Sequence, residues 1–195
     1  MNAAAAIAFP AAAAPAASDS GCQRPAAASW LRAVSSIDDD LPDAFRQAMR
    51  RVASTVNVIT ICVGGEPMGI TATAMSSISM DPPSLLVCIN RTAAMHGRME
   101  DVSHFRVNVL HRDQEQVAQI FADRKHQALR FADGWTVDCE RPPRLVDAQA
   151  SLLCRRIDHH RFGTHSIFIG QVEEVAVREG VDPLVYVNGR YAGAG

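Results

Sequence analysis

A double proline, Pro82-Pro83, splits residues 69–90 (GITATAMSSISMDPPSLLVCIN) into two unlike halves, and no other stretch constrains the fold as much. Before the stop, small hydroxyl residues crowd together at Thr71, Thr73, Ser76, Ser77 and Ser79. After it comes the apolar run Leu85 to Ile89, which reads as a buried strand. Hydroxyls and exposed backbone N–H groups bordering such a strand form a neutral cradle for a phosphate and a polar heterocycle. The same residues also suit a Thr-rich strand followed by a serine turn. Composition alone leaves both readings open.

The flanking sequence is strand-rich. Asn57 to Val63 (NVITICV) is β-branched and ends at Gly64-Gly65, so it predicts a strand entering a turn, with Met68 to Thr73 as its hairpin partner. Phe105, Val107 and Val109 alternate with Arg106 and Asn108, which predicts a strand with one polar face. Ser151 to Asp158 and Ser166 to Val177 flank a turn at Phe162-Gly163-Thr164, and Leu184 to Val187 follows. Helices are fewer. Leu41-Pro42 predicts a helix start, with Phe45, Met49 and Val52 as an apolar stripe facing a core. Asp113 with Gln116 suggests a capping box before Val117, Ile120 and Phe121. Residues 123–149 read as irregular, anchored by Phe131 and Trp135. Most loops are too short for βαβ crossovers, so a small β-barrel with peripheral helices fits best.

At 195 residues the chain has the mass for one cored domain. Its 19 basic and 21 acidic residues nearly cancel, which argues against a nucleic-acid partner. No apolar run has membrane-spanning length, so no membrane partner is expected. Cys22, Cys62, Cys88, Cys139 and Cys154 are odd in number and form no CxxC, as expected of thiols in a reducing cytoplasm. Residues 1–37 are alanine-rich and interrupted by Pro10, Pro15 and Pro25. They predict a disordered extension, with the domain beginning at residue 38.

No G-x-G-x-x-G follows a strand, and neither a Walker A loop nor a G-x-S-x-G elbow occurs. His159, His160 and His165 form the one histidine cluster, without the helical spacing or cysteine partners of a metal site. No metal is expected. His165 stands apart because it occupies FGTH, directly before the strand SIFIG. Arg91 ends the strand after Pro83, placed either to close on a phosphate or simply to be solvated.

Taken in order, VNVIT, GITATAMSSIS, DPPSLLVCIN, FRVNVL, QEQVAQIFA, GTHSIFIGQV and PLVYVNGRY resemble the landmarks of the short flavin reductases, the NAD(P)H-dependent partners of two-component flavin monooxygenases. The resemblance spans Phe45 to Tyr191. It looks strongest to the reductases of 4-hydroxyphenylacetate 3-monooxygenase and of pyrimidine utilisation. Two departures stand out. Thr164 replaces the aspartate of the usual Gly-Asp-His, and Ala192 follows Tyr191 where relatives often carry histidine.

The resemblance implies an FMN-binding split β-barrel working as a homodimer. It implies hydride transfer from NADH or NADPH to FMN or FAD, with reduced flavin passing to a separate monooxygenase. It places Thr71, Ala72, Thr73, Ala74, Ser76, Ser77, Asn90 and Arg91 at the flavin and His165 at the nicotinamide. It also sets Phe121 and the Arg130-Phe131 pair near the flavin, where core packing explains the phenylalanines equally well. No side chain is expected to act as an acid, base or nucleophile, because flavin carries the chemistry. The alternatives are a non-catalytic flavin- or haem-binding split barrel and an oxidase that keeps its FMN.

Overall fold

The computed structural model describes residues 40–138 and 140–194. The extension expected over residues 1–37, the domain start at residue 38 and Cys139 lie outside the described residues. The chain runs through α1 (Asp40–Met49), β1 (Ser54–Thr55), β2 (Asn57–Val63), β3 (Glu66–Ala72), β4 (Met75–Met80) and β5 (Pro83–Asn90). Then come α2 (His96–Asp101), β6 (His104–Val109), α3 (Glu115–Ala122), β7 (Trp135–Thr136) and β8 (Arg144–Leu145). It closes with β9 (Ala150–Phe162), β10 (His165–Val177), β11 (Leu184–Val187) and β12 (Arg190–Gly193).

Seven strands form one antiparallel sheet in the order β3-β2-β6-β9-β10-β5-β4. Its two outermost strands, β3 and β4, are consecutive in the chain, joined only by Thr73 and Ala74. The sheet therefore curls until its edges meet at that connection, which is the seam of a split β-barrel. The expected mainly β fold with peripheral helices is the one observed. Gly64 and Gly65, at φ 58° and 85°, make the tight turn between β2 and β3 that β-branched neighbours would resist.

The barrel is filled by Ile59, Ile61, Val87, Met99, Phe105, Val107 and Phe168, all fully buried. Each such side chain contributes about 1.5–3 kcal/mol of burial. Gly170 has no room for a side chain, since a Cβ there would stand 2.5 Å from Phe105 Cζ. A second apolar layer, with Phe121, Leu110, Val58 and Leu184, packs α3 and the short sheet β1-β11-β12 against the barrel. Phe131 and Trp135 join Phe121 there with ring centroids about 5 Å apart, and so anchor residues 123–149 as expected.

Two expectations are corrected and one is extended. The helix at Leu41-Pro42 forms, but its stripe does not face the core: Phe45 is 64% exposed, Met49 48% and Val52 50%. Among the described residues the stripe stays open to solvent. The expected strand with one polar face forms as β6, and Arg106 and Asn108 on that face are buried. Residues 142–145 cover that face, and the side chains are satisfied from within. Asn108 Nδ2 donates to Val58 O at 3.2 Å, and its Oδ1 accepts from Leu145 N and Ser151 Oγ. The capping box belongs to His111 and Gln114, not to Asp113 and Gln116. His111 already has extended backbone, so the turn starts two residues earlier than the acidic residue suggests.

Candidate functional site

At the seam, Ile70 to Ala74 face Cys88, Ile89, Asn90 and His165 across a groove of about 220 Å³. Two pairings build it. Asn90, the last residue of β5, sits opposite His165, the first of β10. Ala74 is held over β5 by Cys88 N–H, which donates to Ala74 O at 3.0 Å. The alanines at 72 and 74 leave space beside the strand ends for a flat ring, and Thr73 is exposed at the rim.

The polar groups divide into spent and available ones. Thr71 Oγ1 donates to Ala118 O at 2.7 Å, so its proton tethers α3 rather than facing a ligand. Asn90 Oδ1 accepts from Thr92 N–H and Thr92 Oγ1, both at 2.9 Å, which shapes the following loop and spends the oxygen rather than the Nδ2 donors of this groove-lining residue. His165 Nδ1 is 2.9 Å from Thr164 Oγ1, so the threonine hydroxyl orients the imidazole. Ser76 and Ser77 lie exposed on β4 beyond the groove, and Ser76 Oγ donates to Ser77 O.

Arg91 lines a second, wider groove of about 670 Å³ that shares Asn90 with the first. It leans over the β9–β10 turn, with its N–H on Thr164 O at 2.9 Å and its guanidinium on Gly163 O at 3.3 Å. A third groove of about 490 Å³ shares Ile70 and is lined by Met95, Phe121, Arg124 and Arg130. Arg130 is committed to structure. Its guanidinium donates to the carbonyls of Gly69, Ile120, Phe121 and Asp123 and lies 5.4 Å over the Phe121 ring. It thereby satisfies carbonyls at the end of α3.

Sequence reasoning missed Cys88 and Ile70 as groove residues, since both look like ordinary strand apolars. It also missed His96, Glu100 and Arg161 in the second groove. The spacing of His96 and Glu100 on one helix face was the available signal. The histidine cluster disperses. His159 stacks on Phe168, His160 lies 3.1 Å from Asp158, and only His165 reaches the first groove. Among the described residues no group of His, Cys, Asp and Glu has the arrangement of a metal site.

Residues 49–195 match the family described as flavin reductase like domain. The chain belongs to that family. It is 40% identical over 153 residues to the reductase component of the FADH(2)-dependent resorcinol hydroxylase of a Rhizobium strain, covering 77% of this chain and 86% of that protein. It is also 40% identical over 149 residues to an FMN reductase (NADH), RutF, of Methylorubrum extorquens, covering 76% of this chain and 74% of the relative. Among solved structures, BorF, the flavin reductase component of a bacterial two-component tryptophan halogenase, superposes with a TM-score of 0.71 at 33% identity, covering 78% of this chain and 97% of BorF. The NADH:FAD oxidoreductase SgcE6 of Streptomyces globisporus, solved with NAD and FAD fragments, gives 0.73 at 28% identity, covering 82% and 96%. The chain is thus a flavin oxidoreductase, and a flavin suits the seam groove: small residues along one wall, amide donors at Asn90, and an imidazole at its end.

Proposed function

We propose that this flavin reductase oxidises NADH or NADPH at the seam groove and supplies reduced FMN or FAD to a separate monooxygenase. The observation that supports the reading is the antiparallel pairing of Asn90 with His165, which brings an amide and an imidazole to one groove. Bound flavin would supply the redox chemistry, as the acceptor of hydride from the dinucleotide. The protein's part is placement. Ala72 and Ala74 admit the ring, Thr73 and Asn90 offer polar contacts, and His165 can donate from Nε2 to a carboxamide oxygen. Ser76, Ser77 and Arg91 lie outside the groove and serve the flavin's outer, phosphate-bearing part.

The groove is shallow and its rim exposed, which suits a protein that must hand its product on. Two copies of the chain work together. Phe162, 82% exposed, lies at the β9–β10 turn beside the His165 end of the groove, and Ile78 and Met80, the latter 84% exposed, lie farther along β4 toward its turn with β5. A second copy covering Phe162 would also roof the groove. Among the described residues no helix is long and apolar enough to cross a membrane. Cys88 and Cys154 are free thiols, which suits a reducing compartment such as the cytoplasm.

The test is NADH oxidation followed at the nicotinamide absorbance band with FMN or FAD added, on protein first passed through a desalting column. Activity that depends on added flavin supports the reading. Yellow protein turning over without added flavin would mark a flavin-retaining oxidase, and no oxidation at all would mark a binding protein. Static light scattering must return a dimer; a fully active monomer counts against the second copy.

A further inference from the structure

His96 opens α2 directly after the loop that carries Asn90, Arg91 and Thr92, and it is 7% exposed. Its Nε2 stands 2.8 Å from the hydroxyl of Ser166, a fully buried residue adjoining His165 in β10. The ring meets Phe168 edge-on at 5.8 Å between centroids, and His159 stacks on the same phenyl at 5.7 Å. Glu100, one helical turn further on, lies 3.9 Å from His96 Nε2 and 3.8 Å from His159 Nε2. Arg161 of β9 holds that carboxylate from 2.7 Å. Burial outweighs the nearby Glu100 and holds the His96 imidazole below its ordinary pKa, with Arg161, Arg91 and His159 adding to the effect.

The segment from Asn90 to Glu100 therefore touches β10 and its turn in two ways. Arg91 grips the turn carbonyls from the surface. His96 grips Ser166 from the interior, where water does not compete and a lost partner leaves a buried hydroxyl unsatisfied. Ser166 is hydrogen-bonded into the sheet opposite Ile89 and Arg161, and its neighbour His165 opposite Asn90. A shift of Ser166 is a shift of the imidazole beside it.

We propose that His96 is a positioning residue for the nicotinamide half of the reaction: through Ser166 it sets where His165 stands against the groove. The inference rests on the reading of His165 given above. It makes His96 the internal link between the loop on the flavin side and the strand on the nicotinamide side. Its effect belongs on the affinity for the dinucleotide, because the flavin wall from Ile70 to Ala74 lies on other strands.

The experiment compares His165→Ala, Ser166→Ala, His96→Gln and His96→Leu in the full chain, reading the KM for NADH, flavin Kd and melting temperature for each. One buried hydrogen bond predicts a rise in KM of roughly three- to tenfold for Ser166→Ala and His96→Leu. Flavin Kd should move less than twofold, and His96→Gln, which retains a polar reach, should recover part of the loss. The double variant His96→Leu/Ser166→Ala should be no worse than the poorer single one. If His165→Ala raises the KM while the Ser166 and His96 variants leave it unchanged, the positioning role is overturned and the His165 assignment stands. If His165→Ala itself leaves the KM unchanged, the assignment falls and this inference with it. Should the His96 variants fail to fold, the wild-type protein decides through the His96 imidazole NMR signal on addition of NAD⁺. A moved titration supports the link, and an unmoved one overturns it.

Discussion

Two polar regions of this barrel are built from similar residue types and behave in opposite ways. On the outer face of β2, β6 and β9, Thr60, Arg106, Asn108 and Ser151 are buried and bonded to one another or to the carbonyls of Pro142 and Pro143. At the seam, Thr73, His165 and Arg91 are exposed, and their bonds are few and local. In the first region each polar group is consumed in pinning residues 141–145 over the sheet. In the second, donors remain. Polarity in a strand thus marks a ligand site only where the bonding capacity has not been used inside the fold.

The sharpest way to break this contrast is at Asn108. Asn108→Leu should cost roughly 3 kcal/mol or more in urea denaturation, since Leu145 N–H, Ser151 Oγ and Val58 O all lose a buried partner. Flavin affinity of the folded protein should hold. If affinity falls in step with stability, the two regions are not separate.

Close packing supplies the next test. Gly170→Ala drives a methyl group into Phe105 and Cys154, with approaches of 2.5 Å and 2.8 Å, and should cost about 1–3 kcal/mol. A thermal melt unchanged from wild type would mean that β10 has slack at its bulge.

Threonines 71 and 73 sharpen the comparison within one strand end. Thr71→Val loses the bond to Ala118 O and should lower stability by roughly 1 kcal/mol with little effect on flavin. Thr73→Val should do the reverse, weakening flavin Kd by roughly two- to tenfold with the melting temperature nearly unchanged. Interchanged results would reassign which hydroxyl faces the ligand.

The smallest effect is a pH dependence. Because burial lowers the His96 pKa, the unfolded chain binds a proton that the folded site resists. Stability is therefore full above about pH 6.5 and declines as pH falls from there through the folded value. Glu100, held low by its bonds to Arg161, adds its own loss only in the more acidic carboxylate range. Melting curves from pH 7.5 to 5 should show a slope for the wild type that His96→Gln flattens. Equal slopes would place the titrating group elsewhere.

The order of strands was legible because β-branched runs and glycine turns stand in plain alternation from Asn57 onward, and the family landmarks place the seam. The groove core of Ala72, Thr73, Ala74, Asn90 and His165 was legible for the same reason. What the chain's letters do not carry is which atoms are already spoken for. Thr71 reads like Thr73, and the polar face of Asn108 carries no mark of its burial, until α3 and residues 142–145 are laid over them. The stripe of Phe45, Met49 and Val52 misleads in the converse way, because helical periodicity reports an apolar face and not what covers it.

Arg130 carries one last consequence. By gathering four carbonyls from β3, α3 and the turn beyond, it rivets one bank of the seam to the body of the protein. The facing bank is fixed as well, by the pairing of Asn90 with His165 and by Cys88 N–H on Ala74 O at 3.0 Å. Both walls of the seam are thus tied into the sheet or to α3, and the groove keeps its shape without help from whatever enters it.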